Sequence, residues 1–112
     1  MRKYHHIGLP TSERRDGETY LADYKAYCSG LDSSDFGIQW IRFDPESPLP
    51  EMLKKVAHVA FEVDDMALEI EGRKILVPPG SPTPDFVIAF IEDNGAPVEL
   101  MQKVKTEGAT YD

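Results

Sequence analysis

The feature that most constrains how this chain can fold is a pair of segments that resemble each other across its length. His6-Ile7-Gly8-Leu9 matches His58-Val59-Ala60-Phe61 as histidine, β-branched, small and large apolar. Later in each half, Gly37-Ile38-Gln39-Trp40-Ile41 matches Pro97-Val98-Glu99-Leu100-Met101, with a polar residue between β-branched and large apolar neighbours. Self-similarity of this kind marks two copies of one supersecondary unit that bury a common core. Each copy then has a histidine on its first strand and an oxygen donor on its last.

The segments between these anchors fit that reading. Residues 3–9 read as a strand cut off by Pro10, and Ser12 could cap a helical turn in the polar stretch 11–17. Residues 23–29 alternate as a strand does, although 22–27 could equally end a helix, and 30–35 is turn-rich. GIQWIRF at 37–43 is β-branched and aromatic, hence a strand. The run DPESPLPE that follows has three prolines and suits neither helix interior nor central strand. It is the natural linker, so the single domain divides into module one at about 1–45, linker at about 46–55 and module two at about 56–104.

In module two, residues 57–63 predict a strand. Asp64 or Asp65 caps a helix over 66–71 that Gly72 stops, and a short strand over 74–77 precedes an irregular PPGSPTP loop. Residues 86–92 and 97–103 flank Asn94-Gly95, a pair that supplies the positive φ angles of a tight hairpin turn. The tail, 105–112, is expected to fray.

Strand alternation assigns the faces. His58 and Ala60 share one side of their strand, and Val59, Phe61 and Val63 share the other, packed against a helix. His6 goes with Gly8. Gln39 and Glu99 sit opposite Ile38, Trp40, Val98 and Leu100, while Ile41 and Phe43 share the face of Gln39 and Met101 that of Glu99. Four metal-competent side chains, His6, Gln39, His58 and Glu99, thus fall on the sheet face that helices leave uncovered, above an apolar lining of Ile41, Phe43 and Met101. A buried carboxylate at Glu99 needs a partner to offset its desolvation, and a cation or Arg42 would both serve. Arg42, however, alternates onto the opposite face.

Composition narrows the class. A formal net charge of −8 disfavours nucleic acid and anionic membrane surfaces as partners. The single cysteine, Cys28, excludes an intrachain disulfide framework and a cysteine-only zinc site. No stretch reaches the roughly 20 apolar residues of a membrane span, and the start MRKYHHIGLP lacks a signal-peptide pattern, so the expected compartment is the cytoplasm.

HHIGL, HVAFEVDD and FIEDNGAPVELMQ together resemble the recurrent segments of the vicinal oxygen chelate superfamily, which includes glyoxalase I, methylmalonyl-CoA epimerase, extradiol dioxygenases and bleomycin-resistance proteins. The resemblance implies an α+β fold of two βαβββ modules forming a partly closed mixed sheet around a divalent metal, commonly in a homodimer. It implies His6, Gln39, His58 and Glu99 as the ligands, with His5 on the other face as a structural residue. The compact first module implies a reduced helix, short closing loops and a small substrate.

Two imidazoles, a carboxylate and an amide oxygen suit Zn, Ni, Co, Mn or Fe. Bound through two neighbouring oxygens, a substrate could lose a proton beside a carbonyl to Glu99 as base, which makes lyase, isomerase or epimerase chemistry the first reading. A non-catalytic module that binds a small drug-like ligand, as bleomycin-resistance relatives do, is the alternative. An extradiol-type dioxygenase is the second, since a site without Gln39 would keep two histidines and one carboxylate.

Overall fold

The computed structural model describes residues 1–104, and the tail expected to fray lies outside them. The elements are β1 (Lys3–Thr11), β2 (Thr19–Leu21), β3 (Ala26–Ser29), a 3-10 turn (Leu31–Ser33), β4 (Ile38–Phe43), α1 (Glu51–Lys55), β5 (His58–Glu62), α2 (Met66–Ile70), β6 (Lys74–Gly80), β7 (Phe86–Asp93) and β8 (Ala96–Lys103). All eight strands join one mixed sheet in the order β2-β3-β4-β1-β5-β8-β7-β6. The two halves, β2-β3-β4-β1 and β6-β7-β8-β5, repeat one topology and meet where β1 runs antiparallel to β5. Within each half the first strand pairs in parallel with the last, β1 with β4 and β5 with β8. This curled sheet has the α+β architecture that the resemblance implies.

The two faces carry separate apolar clusters. On the outer face Val63, Met66, Ala89, Ile91 and Leu100 pack with Phe61, Ile70 and Val98 under α2. Asp65 caps α2 by accepting from the Leu68 amide, and the Gln102 side chain accepts from the Met66 amide at 2.6 Å. On the inner face Ala60, Ile88, Phe90 and Met101 pack with Leu53 of α1. Here the sequence expectation needs correction, because α1 forms directly behind Pro50 in the expected linker and closes one end of a face expected to be free of helices. Proline is well tolerated at a helix entrance, so the proline-rich run positions this helix instead of forbidding it.

Module one differs from expectation more. No helix forms between β1 and β2 among the described residues, and Pro10 does not end β1. The last pairing of β1 with β5 is Gly8 with His58, so at Pro10 only β4 remains as a neighbour and the missing amide is tolerated. The loop that stands where module two has α2 sets Arg15 over the Trp40 ring at 4.8 Å. Glu18 takes the Arg42 guanidinium in two hydrogen bonds of 2.8 and 2.9 Å, and that guanidinium lies 4.1 Å over Tyr27. Stacked cations thus cover the outer face of this half. The strand expected at 23–29 resolves into β3 alone, preceded by β2 and a turn in which Lys25 takes φ 49°.

In module two, β6 continues through Pro78 and Pro79 to Gly80, since it is the outermost strand and proline's missing amide can face outward there. The Asn94-Gly95 turn has φ of 52° and 82°, as its composition requires, and joins Asp93 to Ala96. No helix among the described residues is long and apolar enough to cross a membrane.

Candidate metal centre

The strand register gathers the site into two rows. One row runs Gln39, Gly8, His58 across β4, β1 and β5, and the next runs His6, Ala60, Glu99 across β1, β5 and β8. Each histidine therefore stands beside the small residue of the other repeat, His58 beside Gly8 and His6 beside Ala60. The "small" position of the repeat acquires a physical meaning: Gly8 and Ala60 form the floor over which the rings lie. A Cβ on Gly8 would overlap the His58 ring.

His6, His58 and Glu99 are buried, and their ligand atoms lie within 4.8 Å of one another. His58 Nε2 is 2.9 Å and His6 Nε2 3.3 Å from Glu99 Oε1. These separations are ion-pair distances, yet neither nitrogen is aligned for a hydrogen bond. His6 Nε2 and both ring nitrogens of His58 have no hydrogen-bond partner. Buried polar nitrogens are seldom left without a partner. Two imidazole nitrogens and a carboxylate oxygen converging in this way fit a divalent cation such as zinc, and these three residues could hold one.

Burial acts most strongly on Glu99 and pushes its carboxyl up. The nearby His58 and His6 rings, cationic when protonated, together outweigh it and hold the group at about 2. Glu99 is thus ionised at neutral pH, as a ligand must be. Arg42, engaged with Glu18 on the outer face, takes no part in balancing it.

His5 departs from its expected position. Pairing of β1 with β5 slips between Tyr4 and His6, a bulge that breaks the alternation and turns His5 toward the same side as His6. The Nδ1 atoms of the two rings are 2.8 Å apart, and Phe86 packs edge-on to His5 with ring centroids 5.8 Å apart. Burial first, then the neighbouring His6, lowers the pKa of His5.

The cluster opens into a cavity of about 360 Å³. Ile41, Phe43 and Met101 line it, and so does Gln39, which also borders a wider outer space of about 850 Å³ at the 13–17 and 29–33 loops. Tyr24, Phe86, Phe90 and Leu53 also line it, beyond the residues that the sequence singles out. Alternation along 86–90 carried the signal for the two phenylalanines, whereas Tyr24 sits in a turn with no period to read. Burial raises the phenol pKa of Tyr24, and Glu99 adds to the effect. Cys28 also borders the cavity, its thiol pushed up to about 12 by burial, which makes it an unreactive apolar filler.

Two four-stranded units joined through β1 and β5, with a buried His-His-Glu cluster at their junction, have the architecture of the vicinal oxygen chelate fold. No family model matches the sequence, and no curated protein does. Among solved structures, the chain is similar to a hypothetical protein, BH1468, from Bacillus halodurans C-125, with a TM-score of 0.68, 15% identity, and coverage of 96% of this chain and 99% of that one. It is also similar to methylmalonyl-CoA epimerase from Mycobacterium tuberculosis, with a TM-score of 0.64, 17% identity, and coverage of 91% and 88%. At these identities the likeness shows the fold.

Proposed function

We propose that this chain is a divalent-metal-dependent enzyme of the glyoxalase type, with lyase, isomerase or epimerase chemistry on a small substrate that binds through two neighbouring oxygens. The observation that carries the reading is the set of buried, partnerless imidazole nitrogens beside an ionised carboxylate. His6, His58 and Glu99 would hold the ion, with Gln39 as fourth ligand from the adjoining row. Zn, Ni, Co, Mn and Fe all suit such donors. A bound ion would supply Lewis-acid polarisation of a substrate carbonyl.

The residues themselves supply the rest. The apolar walls, Ile41, Phe43 and Met101 among them, exclude water and strengthen electrostatic interactions inside the cavity. Glu99 is a weak base while both imidazoles touch it. A swing of its carboxylate away from them leaves burial as the remaining influence, which raises its proton affinity and lets it take a proton from carbon and return it elsewhere. The cavity of about 360 Å³ fits a small substrate. The resemblance further supports a homodimer acting in the cytoplasm, and sedimentation of the purified chain checks the dimer.

A second reading rests on the same cluster. Two histidines and one carboxylate are the donor set of non-haem Fe(II) oxygenases, so a dioxygenase follows if Gln39 is not a ligand. One experiment separates the two. Protein loaded with Zn, Ni, Co or Mn is incubated in D2O with small 2-hydroxy ketones and 2-oxo acids, and the Fe(II) form with catechols under oxygen. Deuterium entering carbon, absent in Glu99→Ala, supports the isomerase reading. Ring cleavage without exchange supports the oxygenase. Tight binding of aromatic ligands with neither reaction would replace both with a binding module.

A further inference from the structure

Adjacent residues of a strand normally face opposite ways, so two consecutive histidines should not meet. Here the bulge in β1 puts both rings on the site side with their Nδ1 atoms 2.8 Å apart. At that distance one nitrogen must carry the proton and the other the lone pair. The direction of this bond decides what His6 offers the cluster. Were His5 the donor, His6 would carry its proton on Nε2, where it would be aimed at Glu99. Yet His6 Nε2 lies 3.3 Å from Glu99 Oε1 without hydrogen-bond alignment.

We infer that His5 is a positioning residue: its Nδ1 accepts the Nδ1–H of His6, which fixes the tautomer of His6 and keeps the Nε2 lone pair directed into the cluster. His5 itself packs against Phe86 in a T-shaped arrangement, with ring centroids 5.8 Å apart at 77°. The inner ring is thereby held by the backbone of β1 and by a side-chain acceptor. His58 needs no such partner, because Gly8 on one side and the edge of Phe90, with centroids 5.2 Å apart, define its ring position by packing. The two imidazoles are thus oriented by different means, one by packing and one by a hydrogen bond. Acceptors of this kind orient a ligating imidazole and raise its basicity, and their loss typically weakens metal binding roughly 10- to 100-fold.

The inference rests on the metal reading only for its second measurement. The first uses metal-free, ¹⁵N-labelled protein at a pH well above the ordinary histidine value, and long-range ¹H–¹⁵N correlations give the tautomer of His6. The expected result is the Nδ1–H form in the parent, a mixture in His5→Phe, and the parent form restored in His5→Gln, whose amide oxygen can accept. An Nε2–H tautomer in the parent overturns the proposal outright, whether or not His5→Phe folds. The second measurement is metal affinity by chelator competition. His5→Phe should lose roughly 10- to 100-fold and His5→Gln should recover most of it. Equal losses in both variants, or none in either, would make His5 a packing residue. A parent that binds no metal sinks the function proposed above and leaves the tautomer result to stand or fall separately.

Discussion

Gly8 and His58 face each other across β1 and β5, and the imidazole occupies the space in which a side chain at residue 8 would begin. The absence of a side chain in one repeat is what lets the other present its ligand. Gly8→Ala should therefore displace the His58 ring. Overpacking of this sort costs about 1–3 kcal/mol. Denaturant unfolding and metal titration check it: lower stability with metal affinity reduced at least tenfold is expected, and unchanged affinity would show that His58 is not held where Gly8 puts it.

Acid should destabilise the metal-free protein through Glu99. Its folded-state pKa, about 2, lies below the ordinary carboxylate value of 4.5, so the unfolded chain binds more protons and stability rises with pH between the two. The stabilisation is present above about 4.5 and is lost as pH falls toward 2, with a size of roughly 3 kcal/mol. Urea midpoints across that range, parent against Glu99→Gln, should converge at the acid end. A parallel pair of curves would contradict the assignment.

Leu53→Ala tests α1. Leu53 is buried against Ala60, Ile88, Phe90 and Met101 at the end of the cavity, and truncation of such a residue costs about 2–5 kcal/mol. Leu68→Ala, on the exposed side of α2, should stay within about 0.5 kcal/mol of the parent. Thermal unfolding of both variants checks the contrast. Similar shifts would place α1 outside the core.

Arg42→Ala should lower stability, since the guanidinium stacks on Tyr27 and binds Glu18, but leave metal content at the parent level. Elemental analysis of the folded variant decides it. Loss of metal would reinstate Arg42 as the charge partner of Glu99.

The sheet was legible in the sequence because it depends on period two and on one turn. GIQWIRF, HVAFE and the Asn94-Gly95 hairpin fix their strands through β-branched alternation and positive φ, and His6, Gln39, His58 and Glu99 took their faces from the same rule. What failed depended on context that period does not carry. Pro10 and Pro78 read as strand breakers, but their strands lack a partner on one side at those points. The bulge at Tyr4/His6 is a register slip against β5, invisible in β1 alone, and it reversed the face of His5. Helix α1, five residues long, is too short for a 3.6-residue pattern to emerge, and Leu53 owes its burial to strands far along the chain. The loop that stands in place of a helix in module one is tied down by Arg15 on Trp40 and Glu18 with Arg42, contacts across the fold that its own sequence pattern does not carry.

The most direct test of the central claim, that His6, His58 and Glu99 form one divalent metal site, is elemental analysis of tag-free protein beside His58→Ala and Glu99→Ala. Near-stoichiometric metal in the parent and its loss in both variants are expected, with the fold retained by circular dichroism. A parent that stays metal-free after incubation with Ni, Co, Zn, Mn and Fe(II) would contradict that claim.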